Sequence, residues 1–207
     1  MGEHNCYIQS YCMIRERSIY IDGARFLSAD PHSSLGEFLR SAYRMLETDY
    51  PKFHKMDGLC KAVFIAVELM TRQTGPLPTD TALIFSNRSS SFLADHKHAS
   101  DIFRPDGVVA SPATFVYTLP NIAMGEISIR HQLHSENVFF IFDSYNPEFL
   151  APYVNTLLHA GRAERVISGW TEVTEERCDL FLCVAGAKGP APHTIEHLKR
   201  LYDKEHE

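Results

Sequence analysis

The chain has 207 residues, 44% of them hydrophobic and 22% charged, with a formal net charge of −6. One domain of about 100 to 200 residues accounts for that length, and the acidic balance leaves no Lys/Arg face to neutralise the phosphates of a nucleic acid. The five cysteines, Cys6, Cys12, Cys60, Cys178 and Cys183, form no C-x-x-C pair and have no metal-like spacing, which predicts free thiols in a reducing, cytoplasmic compartment; no apolar run reaches the roughly 18 to 20 residues of a membrane span.

Along the chain, Cys6 to Ile14 is rich in β-branched and aromatic residues and predicts a first strand, with Ser18 to Ile21 able to pair with it. From Ser33 to Glu47, Leu35, Phe38, Leu39, Ala42, Tyr43 and Leu46 recur at three and four, the spacing of one helical face, with Ser33 or Ser34 as N-cap. Met56 to Thr74 is apolar almost all round, so it predicts a buried helix, stopped by Gly75-Pro76. Thr81 to Ser86 is a short apolar strand, and Asn87 to Val109 reads as a polar, irregular loop. An aromatic helical turn with Phe115 and Tyr117 ends at Leu119-Pro120, a helix runs from Asn121 to Leu133, and Asn137 to Phe142 is a near-continuous apolar strand.

Asp143-Ser144-Tyr145-Asn146-Pro147 then turns into a helix with Phe149, Leu150, Tyr153, Val154, Leu157 and Leu158 on its inner side, closed by Gly161. Strands at Val166 to Trp170 and Leu180 to Ala185, joined by an acidic turn from Glu172 to Asp179, precede a helix from His193 to Tyr202. Strands alternating with helices argue for an α/β fold with a mostly parallel sheet, and the short last connection argues that the final strand runs antiparallel.

Ser111-Pro112, Leu119-Pro120-Asn121, Gly125 and Ile127-Ser128-Ile129-Arg130, followed by the strand at Asn137, resemble the run before the nucleophile in β-ketoacyl synthases. Met56-Asp57 at the start of the buried helix resembles the same family. So does Ser168-Gly169-Trp170-Thr171-Glu172, with Trp170 in place of a glycine. The likeness keeps its order from about residue 6 onward and covers the first half of a synthase. It implies a thiolase-like half: a five-stranded, mostly parallel sheet with one antiparallel strand and helices on both faces. Residues 1–207 would then form a single N-terminal synthase-like domain, without the second half that carries the family's two histidines.

The family's cysteine nucleophile sits at the start of the helix after the third main strand, where a helix N-terminus favours a thiolate. That position falls at Ser144, within one residue of Asp143 or Tyr145, and none of these is cysteine. The resemblance is to chain-length-factor subunits of two-component ketosynthases, and to the short synthase-like proteins of aryl-polyene and flexirubin clusters. It implies a non-catalytic subunit that pairs with a complete ketosynthase as a heterodimer, or with itself as a homodimer, meets acyl carrier protein only indirectly, and uses no cofactor or metal. Pairing is expected through the edge strand, at Val138, Phe139, Phe140, Ile141 and Phe142.

Several residues carry two expectations each. Ser144 is a nucleophile served by His131 or His134, in a stand-alone hydrolase or acyltransferase, or Ser144 or Asn146 is a helix cap. A third reading is a module for acyl carrier protein or lipid; the charge of −6 predicts weak docking of an acidic carrier protein unless a basic spot at Arg162 and Arg165, or at Lys97 and Arg104, overrides it. His96-Lys97-His98 with Asp95 and Asp101 is a metal site or a solvated run, and Arg88-Ser89-Ser90-Ser91 binds a phosphate or is a plain loop. Cys60 and Cys183 are core thiols, and Phe115, Tyr117, Phe139 and Phe140 line an acyl tunnel or simply pack.

Overall fold

Strand β1 (Tyr7–Arg15) begins the sheet, and a computed structural model describes the chain over residues 6–103, 112–175 and 177–204. It is followed by β2 (Ser18–Ile21) and β3 (Ala24–Ser28), then by helix α1 (Leu35–Met45) and helix α2 (Gly58–Thr74). The middle of the chain holds β4 (Ala82–Asn87), α3 (Phe92–Ile102), α4 (Pro112–Val116), α5 (Ile122–His131) and β5 (Asn137–Ile141). It closes with α6 (Pro147–His159), β6 (Arg165–Val173), β7 (Cys178–Gly186), the short β8 (Ala191–Pro192) and α7 (Ile195–Asp203).

The strands form one sheet in the order β3-β2-β1-β7-β6-β4-β5, with β8 beside β1. Both β5 and β6 run parallel to β4, while β7 is antiparallel to β6 and to β1. Of the five long crossing strands, four therefore point one way and β7 opposes them, as expected. Among the described residues the sheet has eight strands rather than five, because β2, β3 and β8 extend it beside β1. The β2–β3 hairpin turns on Asp22-Gly23, whose φ values of 50° and 84° are both left-handed; Asp-Gly between apolar pairs was its legible sign.

A second departure is α3, which occupies the first part of the segment read as irregular. Only Ala94 of this helix is fully buried, so its sequence lacks an apolar stripe for periodicity to detect. Residues 104–111, including Arg104 and Ser111 of the readings above, lie outside the described residues. The last connection is also tighter than expected. β6 continues through Glu172 and β7 starts at Cys178, with Thr174 N–H donating to Arg177 O at 2.8 Å across the turn.

Helix α1 opens on a capping box in which Ser34 accepts from Glu37 N–H and the Glu37 carboxylate accepts from Ser34 N–H. Asp57 caps α2 by accepting from Cys60 N–H at 2.8 Å, and Gly75, at φ +78°, ends it. The larger core lies between the sheet and α1, α2 and α5; the other face is covered by α6 and α7. Within the first layer, buried Glu68 of α2 is held by Arg130 Nε at 3.1 Å and by His131 Nε2 at 3.2 Å. Burial alone would raise its carboxyl pKa, but the hydrogen bonds from His131 and Arg130 hold it below the usual glutamate value.

The second face contains a buried histidine. His193 is 2% exposed, its Nδ1 lies 2.8 Å from Asn155 Oδ1, and its Nε2 has no partner among the described residues. Burial pushes its pKa down to about 4. The unfolded chain therefore binds a proton that the folded one refuses. Its stabilisation is complete above the ordinary histidine pKa and falls as pH drops from about 6.5 toward 4, by roughly 3 kcal/mol in all. Urea melts between pH 7 and pH 4 should show this loss and His193→Gln should flatten it; an unchanged slope in the variant would reassign the effect.

Candidate functional site

The carboxyl ends of β4, β5 and β6 meet at one rim of the sheet, where a ligand or nucleophile is held in an α/β fold. The chain leaves β5 at Ile141, and Phe142 N–H donates to Asn87 O at 3.0 Å, which ties the following turn to the end of β4. Asn146 is the cap of α6, its side chain accepting from Phe149 N–H at 3.1 Å, with Pro147 in the first turn. The capping role thus belongs to Asn146 and not to Ser144.

Asp143 and Ser144 are exposed on the turn. Tyr145 points inward, with its ring 4.7 Å from Tyr202 and 5.5 Å from Phe181, and burial holds its hydroxyl well above the usual tyrosine pKa. Ser144 lines an open depression with Arg88, Asp143, Asn146, Glu148 and Lys199, among others, and no histidine is in that lining. His131 ends α5 against Glu68, and His134 N–H donates to Thr79 O ahead of β4, so both histidines lie at the opposite end of the strands. A serine nucleophile needs a base within hydrogen-bond reach. Pairing Ser144 with His131 or His134 is therefore overturned.

The neighbouring loop is occupied from within. Glu172, 9% exposed, accepts from Arg88 N–H at 2.8 Å, from Ser89 N–H at 3.1 Å and from the Ser89 hydroxyl. Asn87 adds bonds to Ser90 O at 2.8 Å and from Ser90 N–H at 2.9 Å. The amides that a phosphate would need thus already serve an internal carboxylate, which favours the plain-loop reading of Arg88 to Ser91. This contact also gives the Ser168 to Glu172 strand end a structural role. Gly169 is required there, since a Cβ would lie 2.0 Å from Phe181 O.

No thiol is available at this rim. Burial raises the thiol pKa of Cys60 well above its ordinary value and those of Cys178 and Cys183 to about 12. His96 and His98, expected in a loop, stand on α3, where a spacing of two sends side chains to different faces. Their rings contact Phe92 and Phe115 respectively, and no group of metal ligands forms among the described residues.

Among the described residues, strand β5 is the outer strand on its side of the sheet and is bonded only to β4. Of the expected interface residues, Val138, Phe140 and Phe142 face α6, whereas Phe139 packs toward the α2 core and Ile141 is 54% exposed. Phe140 makes ring contacts with Phe142, Phe149 and Tyr153 at 4.9 to 5.8 Å, so it is half-buried within its own chain rather than free for a partner. Between β4 and β5 in the chain, Phe103, Phe115, Leu119 and Ile129 are 82%, 58%, 51% and 65% exposed. Phe115 is thus exposed, while Tyr117 and Phe139 pack against the α2 core.

No protein-family profile and no curated protein matches the chain. Its fold is that of solved ketosynthase and chain-length-factor proteins. One is the ishigamide ketosynthase/chain length factor, with a TM-score of 0.60 at 13% identity, over 88% of this chain and 62% of that one. A second is the ketosynthase ApeO in complex with its chain length factor ApeC from Xenorhabdus doucetiae, with a TM-score of 0.58 at 14% identity, over 96% and 90%. The third is AntDE:AntF, a type II polyketide acyl-carrier protein in complex with its ketosynthase bound to the hexaketide, with a TM-score of 0.59 at 10% identity, over 88% and 62%. The chain thus spans about three-fifths of the chains it matches in the ishigamide and AntDE:AntF structures and most of the one in the ApeO–ApeC complex.

Proposed function

We propose that this chain is a non-catalytic, ketosynthase-like subunit that pairs with a complete ketosynthase and acts with it in fatty-acid, polyketide or aryl-polyene chain elongation. The observation that carries this reading is the edge of β5, unpaired among the described residues and with Ile141 exposed on it, on a fold shared with ketosynthase/chain-length-factor complexes. The rim where the family keeps its nucleophile supports it further, because neither His131 nor His134 reaches Ser144 and positions 143–145 carry no cysteine. In this reading the chain forms one N-terminal synthase-like domain, its partner performs the condensation on acyl carrier protein, and this subunit shapes the shared acyl path or stabilises the pair. A cytoplasmic location fits. No helix among the described residues is long and apolar enough to cross a membrane.

Affinity purification of the chain from its native host tests the reading. A full-length ketosynthase should co-purify, and the isolated chain should give no condensed product from acyl and malonyl carrier proteins. Condensation by the chain alone, or recovery of a stable monomer that binds carrier protein without any synthase, would overturn it; the second result would favour a binding module.

A further inference from the structure

On the face of the sheet opposite Ser144, the first turn of α2 borders a cavity of about 480 Å³ between α1, α2, α3 and α4. Leu35, Leu39, Met56, Leu93 and Ala94 give it an apolar lining, and Lys55, Lys61 and Lys97 converge on it. Its volume falls in the range of small-molecule sites, roughly 300 to 1,000 Å³, and an apolar lining with a few placed charges is their usual composition.

The lysines outnumber the carboxylates in this lining. None of the three lysines is ion-paired among the described residues. Lys61 is half-buried, and its ammonium pKa is pushed below the ordinary lysine value first by burial and then by the charge of Arg40, with Asp57 and Cys60 opposing the shift and Lys97 adding a smaller push. Two carboxylates also line the cavity. Asp57 is engaged in capping α2, and Glu175 stands exposed at the rim. Beneath them the Tyr117 hydroxyl donates to Glu126, which pairs with Lys52 at 2.7 Å, so these groups satisfy one another. In a chain of net charge −6, three lysines face two carboxylates around this hollow, a local positive excess that a bound anion would match.

We propose that this cavity binds a straight-chain fatty carboxylate, its head among Lys55, Lys61 and Lys97 and its tail against Leu35, Leu39 and Leu93. An apolar tail uses the lining that a bare anion would leave wet, and a carboxylate accepts the charge-assisted hydrogen bonds that a neutral alcohol cannot. The site involves neither β5 nor Ser144. It therefore stands independently of the partner reading.

Calorimetric titration of the purified chain with decanoate, decanol, decyl phosphate and acetate tests the proposal, alongside Lys61→Gln, Lys97→Gln and a distant control, Arg162→Gln. Decanoate should bind saturably at one site per chain, with decanol and acetate each at least about tenfold weaker. Each lysine substitution should weaken decanoate about tenfold, the loss of one charge-assisted hydrogen bond, and leave decanol unchanged. Arg162→Gln should change nothing, and circular dichroism should confirm that all variants fold. Decanol binding as tightly as decanoate, preference for decyl phosphate, indifference to both lysine substitutions, or no binding would each overturn it.

Discussion

Ile141→Pro is expected to weaken self-association, and pairing with a ketosynthase, about a hundredfold while leaving the fold intact. The bonds of Glu136 O and Phe142 N–H to β4 fix the parity of β5: even-numbered residues turn their backbone groups inward, and the N–H groups of Asn137, Phe139 and Ile141 face out. Proline at 141 removes an outward donor and none of the bonds to β4, which is why edge strands accept proline where central ones do not. A mate added along this edge would lose a hydrogen bond, keep an unpaired carbonyl and meet the ring, together worth about 3 kcal/mol. Light scattering after size exclusion reads the result directly. A monomeric wild type at micromolar concentration, or an Ile141→Pro assembly as tight as wild type, would remove β5 as the interface. Phe140→Lys is the poorer probe, because it also breaks the ring cluster on α6.

Gly169→Ala is expected to destabilise the protein by more than about 4 kcal/mol and to leave it largely insoluble. A methyl group at this site would lie 2.0 Å from Phe181 O, 3.0 Å from its carbonyl carbon and 3.1 Å from Leu182 Cα, all backbone atoms of the central strand β7. The backbone φ of +150° adds to the strain. No side-chain rotation relieves such an overlap, so β6 and β7 would have to part, carrying Glu172 away from the loop after β4. Gly125→Ala is the contrasting case. Nothing lies within 4 Å of a Cβ there, and alanine within α5 should be neutral or stabilising by about 0.5–1 kcal/mol. Denaturant melts of the two variants make the comparison; equal stabilities would refute the close approach.

The sequence by itself determined the alternation of strands and helices, the buried character of α2 and the helix faces of α1 and α6, because each follows from local periodicity and caps. It also carried the likeness to ketosynthases and the absence of a cysteine near residue 144. Tertiary structure decided what depends on neighbours far along the chain. Only the folded sheet separates Ser144 from His131 and His134, since the two ends of β5 differ in sequence by few residues but lie at opposite rims. Only the β4–β6 pairing brings Glu172 onto the amides of Arg88 and Ser89, a contact spanning 84 residues between Arg88 and Glu172. The division of β5 into inward and outward residues likewise needs the register with β4. An apolar run reads the same whether its edge is paired or open. The lysines around the α2 cavity were invisible for the same reason: Lys55 and Lys61 lie beside the start of α2 while Lys97 is on α3, and only packing makes them neighbours.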